Sequence, residues 1–347
     1  MIRFTHAFGL AFGLSILVAP ATFATVTFDW ATIGHAGNAN DPEDGDVFLP
    51  GVQNLGAVSN EFRIAIFEVT NTQYAEFLNI VAASDPNGLY DLGMADPNGG
   101  IVRSGIDGAY TYAVAAGRED FPVINVSFFE AMRFVNWLHN GQGTGSTESG
   151  VYTISDGLSE TRDANATYYI PTEDEWYKAA YYQPAADGGD SDDYWLYPTS
   201  SNAEPIADVD ANIDNPLFTS TPAGNYNANY YGLFDMGGNL DEWNEGIVVT
   251  NLRGLRGGSW GLSFQLMQSS NRAGIAPTTK RAVTGIRIAS AVLAGDLNSD
   301  SVVDTADLGI LIGQFGTAGP EGDINGDGIV DTADLGILIA AFGTSRP

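Results

Sequence analysis

From Thr25 to about Ser290, short apolar runs alternate with long stretches rich in Gly, Asn and Asp. Phe62-Arg63-Ile64-Ala65-Ile66-Phe67 reads as a strand. Three helices are announced by capping boxes, in which a hydroxyl caps the first turn and an acid or amide three residues later reaches back. Thr70 with Gln73 opens a helix whose apolar face carries Tyr74, Phe77 and Leu78. Ser127 with Glu130 opens a second, with Phe134, Val135, Trp137 and Leu138, that stops near Gly141. Thr172 with Glu175 opens a third, with Trp176, Ala179 and Ala180. Aromatics at helical spacing are expected in a core, not at a ligand site. Irregular loops of more than ten residues separate these elements, which is unusual unless something ties them down. Few helices and no βαβ alternation make the expected class α+β.

The texture changes at Ala291, where a repeat of period 27 begins. Gly295-Asp296-Leu297-Asn298-Ser299-Asp300 opens one copy and Gly322-Asp323-Ile324-Asn325-Gly326-Asp327 the other. Each runs into Val-Asp-Thr-Ala-Asp-Leu-Gly-Ile-Leu-Ile, from Val303 and Val330. Oxygen-bearing side chains fall at loop positions 1, 3, 5, 9 and 12, which are Asp296, Asn298, Asp300, Asp304 and Asp307, then Asp323, Asn325, Asp327, Asp331 and Asp334. Calcium is a hard ion that takes six to eight oxygens, and the EF-hand loop supplies them at this spacing with a backbone carbonyl at position 7. Here that carbonyl belongs to Val302 or Ile329. Position 6 is Gly328 in the second loop but Ser301 in the first, where a positive φ costs more, so weaker binding is expected there. Clustered carboxylates repel one another without an ion, so folding of this segment is expected to be coupled to calcium. The bland alternative is a pair of acidic turns.

Composition narrows the function classes. With 43 acidic against 14 basic side chains, the net charge of −29 repels phosphate backbones, so nucleic acid is not an expected partner. The 347 residues include no cysteine, which rules out disulfides, thiolate metal sites and a cysteine nucleophile. His6, His35 and His139 are too few and too scattered for a zinc, copper or haem centre. Residues 1–24 read as a secretory signal peptide, with Arg3 before the apolar stretch Ala7 to Val18 and small residues at Ala19-Pro20-Ala21 or Thr22-Phe23-Ala24. No later run approaches the length of a membrane span. Secretion or cell-surface display is the expected destination.

The repeat pair, residues 291–347, resembles a type I dockerin, the calcium-loop module that docks enzymes onto cohesin-bearing scaffolds. It departs in having one short helix per repeat and no Lys/Arg recognition pair after it. Docking to a cohesin-like partner or a cell surface is what the resemblance implies. Residues 25–290 contain an ordered set of motifs: Phe67-Glu68-Val69-Thr70-Asn71, Phe121-Pro122-Val123-Ile124-Asn125-Val126-Ser127, Ile170-Pro171-Thr172-Glu173-Asp174-Glu175-Trp176, Tyr231-Gly232-Leu233-Phe234-Asp235-Met236-Gly237-Gly238-Asn239, Glu242-Trp243, Arg256-Gly257-Gly258-Ser259-Trp260 and Gly285-Ile286-Arg287-Ile288-Ala289. This set resembles the formylglycine-generating enzymes, or sulfatase-modifying-factor domains. Their fold is a loop-rich variant of the C-type-lectin fold, so the expectation is one such α+β domain followed by a small all-α, dockerin-like double EF-hand module.

Structural calcium is implied by the same resemblance. Asp235 would offer its side chain beside the carbonyls of Met236, Gly238 and Leu240, and Asn212-Ile213, with Asn215 as a looser candidate, matches the start of a second site. Plain Asn/Asp turns are the alternative. Asp241 stands where relatives carry Trp. The family's oxidases hold copper with two thiolates after the Gly-Gly-Ser motif, and those positions are Leu262 and Met267 here. No catalytic residue is therefore assigned. A related branch relies on a His-rich iron site from another domain, and this sequence has no His-rich segment. Gly257-Gly258-Ser259-Trp260-Gly261 matches a nucleophile elbow in letters but lacks the strand–turn–helix setting. The expected function is a secreted, non-catalytic binding or scaffold protein for a glycan or protein ligand, with Tyr194-Trp195-Leu196-Tyr197 as a candidate stacking surface. The alternative is an enzyme, either an altered oxidase or a carbohydrate-active hydrolase with a carboxylate pair.

Overall fold

The computed structural model describes residues 25–42, 54–214, 218–298, 302–318, 322–325 and 327–345. The expected signal peptide, Asn215, Asp300 and Ser301 lie outside the described residues. The order of elements is β1 (Trp30–Ile33), β2 (Phe62–Ala65), α1 (Asn71–Val81), β3 (Ile101–Ser104), β4 (Thr111–Val114), α2 (Phe128–His139), β5 (Tyr168–Tyr169), α3 (Glu173–Tyr181), β6 (Asp241–Val249), β7 (Leu252–Arg256), β8 (Ala273–Ile275), β9 (Thr284–Gly285), β10 (Ala289–Ala291), α4 (Thr305–Gln314) and α5 (Thr332–Ala341). Strands and helices are short, and irregular backbone fills the rest.

The three expected helices form where their capping boxes stand. Thr70 N–H donates to Gln73 Oε1 at 2.9 Å, and Gln73 N–H returns to Thr70 Oγ1. Glu130 accepts from Ser127 N–H at 2.8 Å, and Glu175 from Thr172 N–H at 2.7 Å. The apolar faces meet in one core, where Phe77 stands edge-on to Phe134 at 5.3 Å and Phe128 edge-on to Trp243 at 5.7 Å. Rings packed in this way add stabilisation beyond the area they bury.

Two small sheets frame that core. In the first, ordered β1-β2-β10-β5, the last strand of the domain pairs with β2 and β5, so the two ends of residues 30–291 are stitched together. In the second, ordered β8-β7-β6-β9, β6 pairs antiparallel with β7 and parallel with β9. This sheet carries the Glu-Trp and Gly-Gly-Ser motifs at neighbouring strand ends.

The aromatic run from Tyr194 to Tyr197 is mostly interior. Tyr194 and Tyr197 are buried, and the Trp195 indole N–H is tied to Gln183 Oε1 at 2.9 Å. Burial of the two tyrosines removes half of the stacking surface that the sequence suggested.

Beyond β10, α4 and α5 pack around Leu293, Val303, Leu311, Val330 and Leu338. The copies interlock, since Val330 bonds with Gly316 and Thr317 while Val303 bonds with Gly343 and Thr344. Against the main domain, the carboxylate of Asp296 lies 3.7 Å from the Arg63 guanidinium of β2, and both side chains are buried.

Candidate functional site

The site expected from the sequence begins where β7 ends. Gly257 and Gly258 both adopt positive φ, 99° and 69°, which turns the chain sharply before Ser259. Leu262 N–H then closes a turn onto Ser259 O at 2.9 Å, and residues Phe264–Met267 form a 3-10 turn. Met267 is fully buried beside Tyr197, Ala211 and Ile213, and its methyl group lies so close to Gly237 that a Cβ there would overlap it. Leu262 is half-buried. An aliphatic side chain and a thioether enclosed by apolar neighbours offer no thiolate, so the residues do not fit the copper that the family's oxidases hold.

The second expected site is the loop from Asp235 to Leu240. Asp235 and Asn239 take the left-handed conformation, φ 56° and 57°, which shape-bends the loop around its own carbonyls. Asp235 Oδ2 accepts from Gly224 N–H at 2.8 Å, while its Oδ1 accepts no hydrogen bond among the described residues. The carbonyls of Met236, Gly238 and Leu240 likewise accept none among those residues. Burial pushes the Asp235 carboxyl up to about 6, opposed by the Gly224 amide and Arg287. A buried carboxylate beside three unclaimed carbonyls is a donor set of hard oxygens, which fits calcium chemically. Asn212 adjoins this loop, with its carbonyl accepting from Asn239 N–H at 2.9 Å and its amide donating to Asn239 Oδ1 and Thr219 O. Ile213 is buried in the Met267 cluster. The two loops expected to bind calcium are thus neighbours.

Behind them lies a set of buried charges that sequence reasoning missed. Arg287 donates to Glu242 Oε1 at 2.7 Å and to the carbonyls of Ala65, Ile66 and Phe234. The Trp176 indole completes Glu242 at 2.7 Å. Glu68 Oε2 accepts from Asn239 at 2.7 Å, whereas Oε1 is buried without a partner. Burial, then Asp235 and Glu242, holds the Glu68 carboxyl well above its ordinary range. Asp241 is 7 % exposed, and burial pushes it up to about 7 against the pull of Arg281. The only sequence signal for this network was the presence of Glu68, Glu242 and Arg287 inside recognisable motifs.

In the repeats, the position-12 carboxylates organise their loops in the same way. Asp307 Oδ1 accepts from Leu297 and Asn298, and its Oδ2 from Asp304; Asp334 Oδ1 accepts from Ile324 and Asn325, and its Oδ2 from Asp331. Asp323 accepts from Asp327 and Gly328, and Asn325 donates to Asp327 Oδ2. Gly328 takes φ 89°, as a position-6 glycine should. Asp304 and Asp331 cap α4 and α5. Val302 bridges Ser345, and Ile329 is exposed. Among the described residues, no three His, Asp or Glu side chains converge as a metal cluster.

A family model described as the sulfatase-modifying factor enzyme 1-like domain matches residues 37–292. The chain belongs to that family. The chain is 26 % identical to a hercynine oxygenase of Mycolicibacterium smegmatis over 66 % of its own length, and it spans about half, 52 %, of that relative. Among solved structures it is similar to Treponema denticola variable protein 1, with 21 % identity, 78 % of this chain and 98 % of that one covered, and a TM-score of 0.54. That likeness supports the family's mixed helix-and-sheet fold. A type II cohesin–dockerin structure from Bacteroides cellolosolvens matches 16 % of this chain and 92 % of its own at 42 % identity, but with a TM-score of 0.16.

Proposed function

We propose that this chain is a secreted, calcium-stabilised and non-catalytic member of its family, a rigid binding module joined by its C-terminal repeats to a partner. The observation that carries this reading is the burial of Met267 among apolar side chains, in a chain without cysteine, at a position where the family's oxidases need a thiolate. Calcium, supplying positive charge, would draw together the Asp235 loop and the two repeat loops. Its holders would be Asp235 with the Met236, Gly238 and Leu240 carbonyls, and the carboxylates named above in each repeat.

The altered-oxidase reading lacks its soft ligands. The hydrolase reading needs a free carboxylate pair, yet Glu242, Glu173 and Glu160 are each engaged by buried arginines. For a ligand, a cavity of about 440 Å³ lined by Thr153, Ser155, Ser159, Glu160, Arg162 and Asp163 has the polarity and size to receive sugar hydroxyls. For attachment, Ile312 on α4 with Phe315 just past its end, and Ile339 on α5 with Phe342 just past its end, are 45 to 62 % exposed. They recur at the repeat spacing and form the face for a cohesin-like partner.

Incubation of the full chain with a cysteine-containing sulfatase peptide, copper and oxygen should yield no aldehyde. Aldehyde formation above a no-protein control would overturn the non-catalytic reading. A glycan array probed with and without calcium then identifies the ligand; calcium-independent binding to nothing on the array would redirect the search to proteins.

A further inference from the structure

We propose that His35, Asp187 and Tyr230 form a surface site for one divalent transition ion of the zinc and copper class, separate from the proposed calcium loops. The three residues come from distant parts of the chain. His35 follows β1, Asp187 ends the 3-10 turn Ala185–Asp187 after α3, and Tyr230 lies in the loop ahead of the Asp235 motif. Their donor atoms converge all the same. His35 Nε2 is 3.8 Å from Asp187 Oδ2, the Tyr230 hydroxyl donates to that same oxygen at 2.9 Å, and the hydroxyl lies 3.4 Å from His35 Nε2. A triangle with those edges has its centre about 2.0 Å from each corner. Zinc–nitrogen and zinc–oxygen bonds are about 2.0–2.2 Å long, so one ion can reach all three atoms from just outside their plane.

The donor mixture selects the metal. Imidazole suits zinc and copper, whereas calcium and magnesium take oxygens alone. A single histidine is a poor metal site by itself; here a carboxylate and a phenol supply what further histidines would. The hydroxyl proton that Asp187 accepts is the one an ion displaces to solvent. The imidazole is also firmly aimed. His35 adopts the left-handed conformation, φ 57°, which is uncommon outside glycine. The buried Lys178 of α3 fixes that backbone by donating to the His35 carbonyl at 2.8 Å, and the Tyr182 ring stands 5.8 Å from the imidazole. Backbone strain of this kind concentrates where a side chain has to be held in one direction. The His35 and Asp187 side chains are 42 and 46 % exposed, so the remaining coordination positions open to water or to a ligand. Three protein donors with an open position mark an accessible zinc site and not a closed one.

The test uses the full chain, purified without a polyhistidine tag and kept in excess calcium so that oxygen-only sites are occupied. Zinc calorimetry should show one site, and copper(II) electron paramagnetic resonance should show splitting from a single imidazole nitrogen. His35→Asn suits the left-handed backbone but has no imidazole, and it should abolish both signals. Asp187→Asn should weaken zinc roughly tenfold or more, as loss of a metal-site partner does. Tyr230→Phe keeps the ring and should weaken zinc measurably but less, while His139→Gln should change nothing. No zinc binding by the unaltered chain, or unchanged affinity in His35→Asn, would mean that the three side chains are only a hydrogen-bonded network, and the proposal falls. Unchanged affinity in both Asp187→Asn and Tyr230→Phe would leave a lone surface histidine and overturn the three-donor site. Loss of the nitrogen splitting in His139→Gln would place the ion elsewhere and overturn it too, whether or not His35→Asn folds.

Discussion

The main domain and the repeat pair solve the same problem, an excess of carboxylates, by different means. In residues 25–291 several buried acids are matched to arginines, Glu242 to Arg287, Glu173 to Arg256 and Arg272, and Glu160 to Arg253. Large rings such as Trp176, Trp243, Tyr74 and Phe134 fill the space around them. The repeats have five buried aliphatic side chains and no basic residue among those described, and their carboxylates lean on backbone N–H groups. A core that small rarely sustains a fold without a disulfide or metal. Protein cations hold the first region; on the function proposed above, the second region would draw its cation from solvent.

The largest expected effect separates the two directly. Chelation by EGTA should abolish the helical signal of α4 and α5 while leaving the near-ultraviolet signal of the buried tryptophans largely intact. Far-ultraviolet circular dichroism of the full chain and of an Asp323→Ala, Asp296→Ala variant reads this out. A helical signal indifferent to EGTA would mean that the five-residue core suffices, and the contrast would collapse.

Removing a protein cation should hurt the main domain alone. Arg287→Ala strands Glu242 and Glu68 in the interior, and breaking a buried pair costs about 3–5 kcal/mol. Urea unfolding followed by tryptophan fluorescence should show that loss at any calcium concentration. Rescue of stability by calcium would indicate that an ion substitutes for the guanidinium.

Asp241 sharpens the same point through pH. Its folded carboxyl titrates at about 7, above the ordinary 3.8, so the folded state binds the extra proton. Stability from that group is present below the unfolded value and is lost as pH rises from about 4 to about 7. Asp241→Asn should thus gain stability at pH 8, by up to a few kcal/mol, and gain nothing at pH 4. Equal melting temperatures of the two proteins at pH 8 would show that the carboxylate is already well solvated.

How much of this was legible depends on range along the chain. The three main helices and both repeat helices follow from contacts within four residues, such as Thr172 with Glu175 and Asp331 with Asp334, and those were readable. The family motifs pointed to the Asp235 loop and to Leu262 and Met267. What stayed hidden spans long separations, for example Arg287 on Ala65 and Asn239 on Glu68. Nothing in local spacing tells which arginine will meet which acid, or that Tyr197 will cover Met267 and not face a ligand.

The smallest effect concerns the junction, where the two solutions meet at one residue. Asp296 is position 1 of the first proposed calcium loop, and its Oδ2 is also 3.7 Å from Arg63 of β2, with both side chains 4 % or less exposed. Arg63 therefore lowers the charge that an incoming ion would see, and it offers the loop a docking point when no ion is bound. Arg63→Met keeps the apolar stem over Trp30 and deletes the charge. First-loop calcium affinity should rise several-fold in that variant, while second-loop affinity, measured against Asp323→Ala, should not move. Melting of the main domain should fall by only about 1 kcal/mol, because the pair is long and Asp296 retains its loop. A first-loop affinity that falls instead would mean that Arg63 preorganises the carboxylate for calcium, so that docking and ion binding reinforce one another.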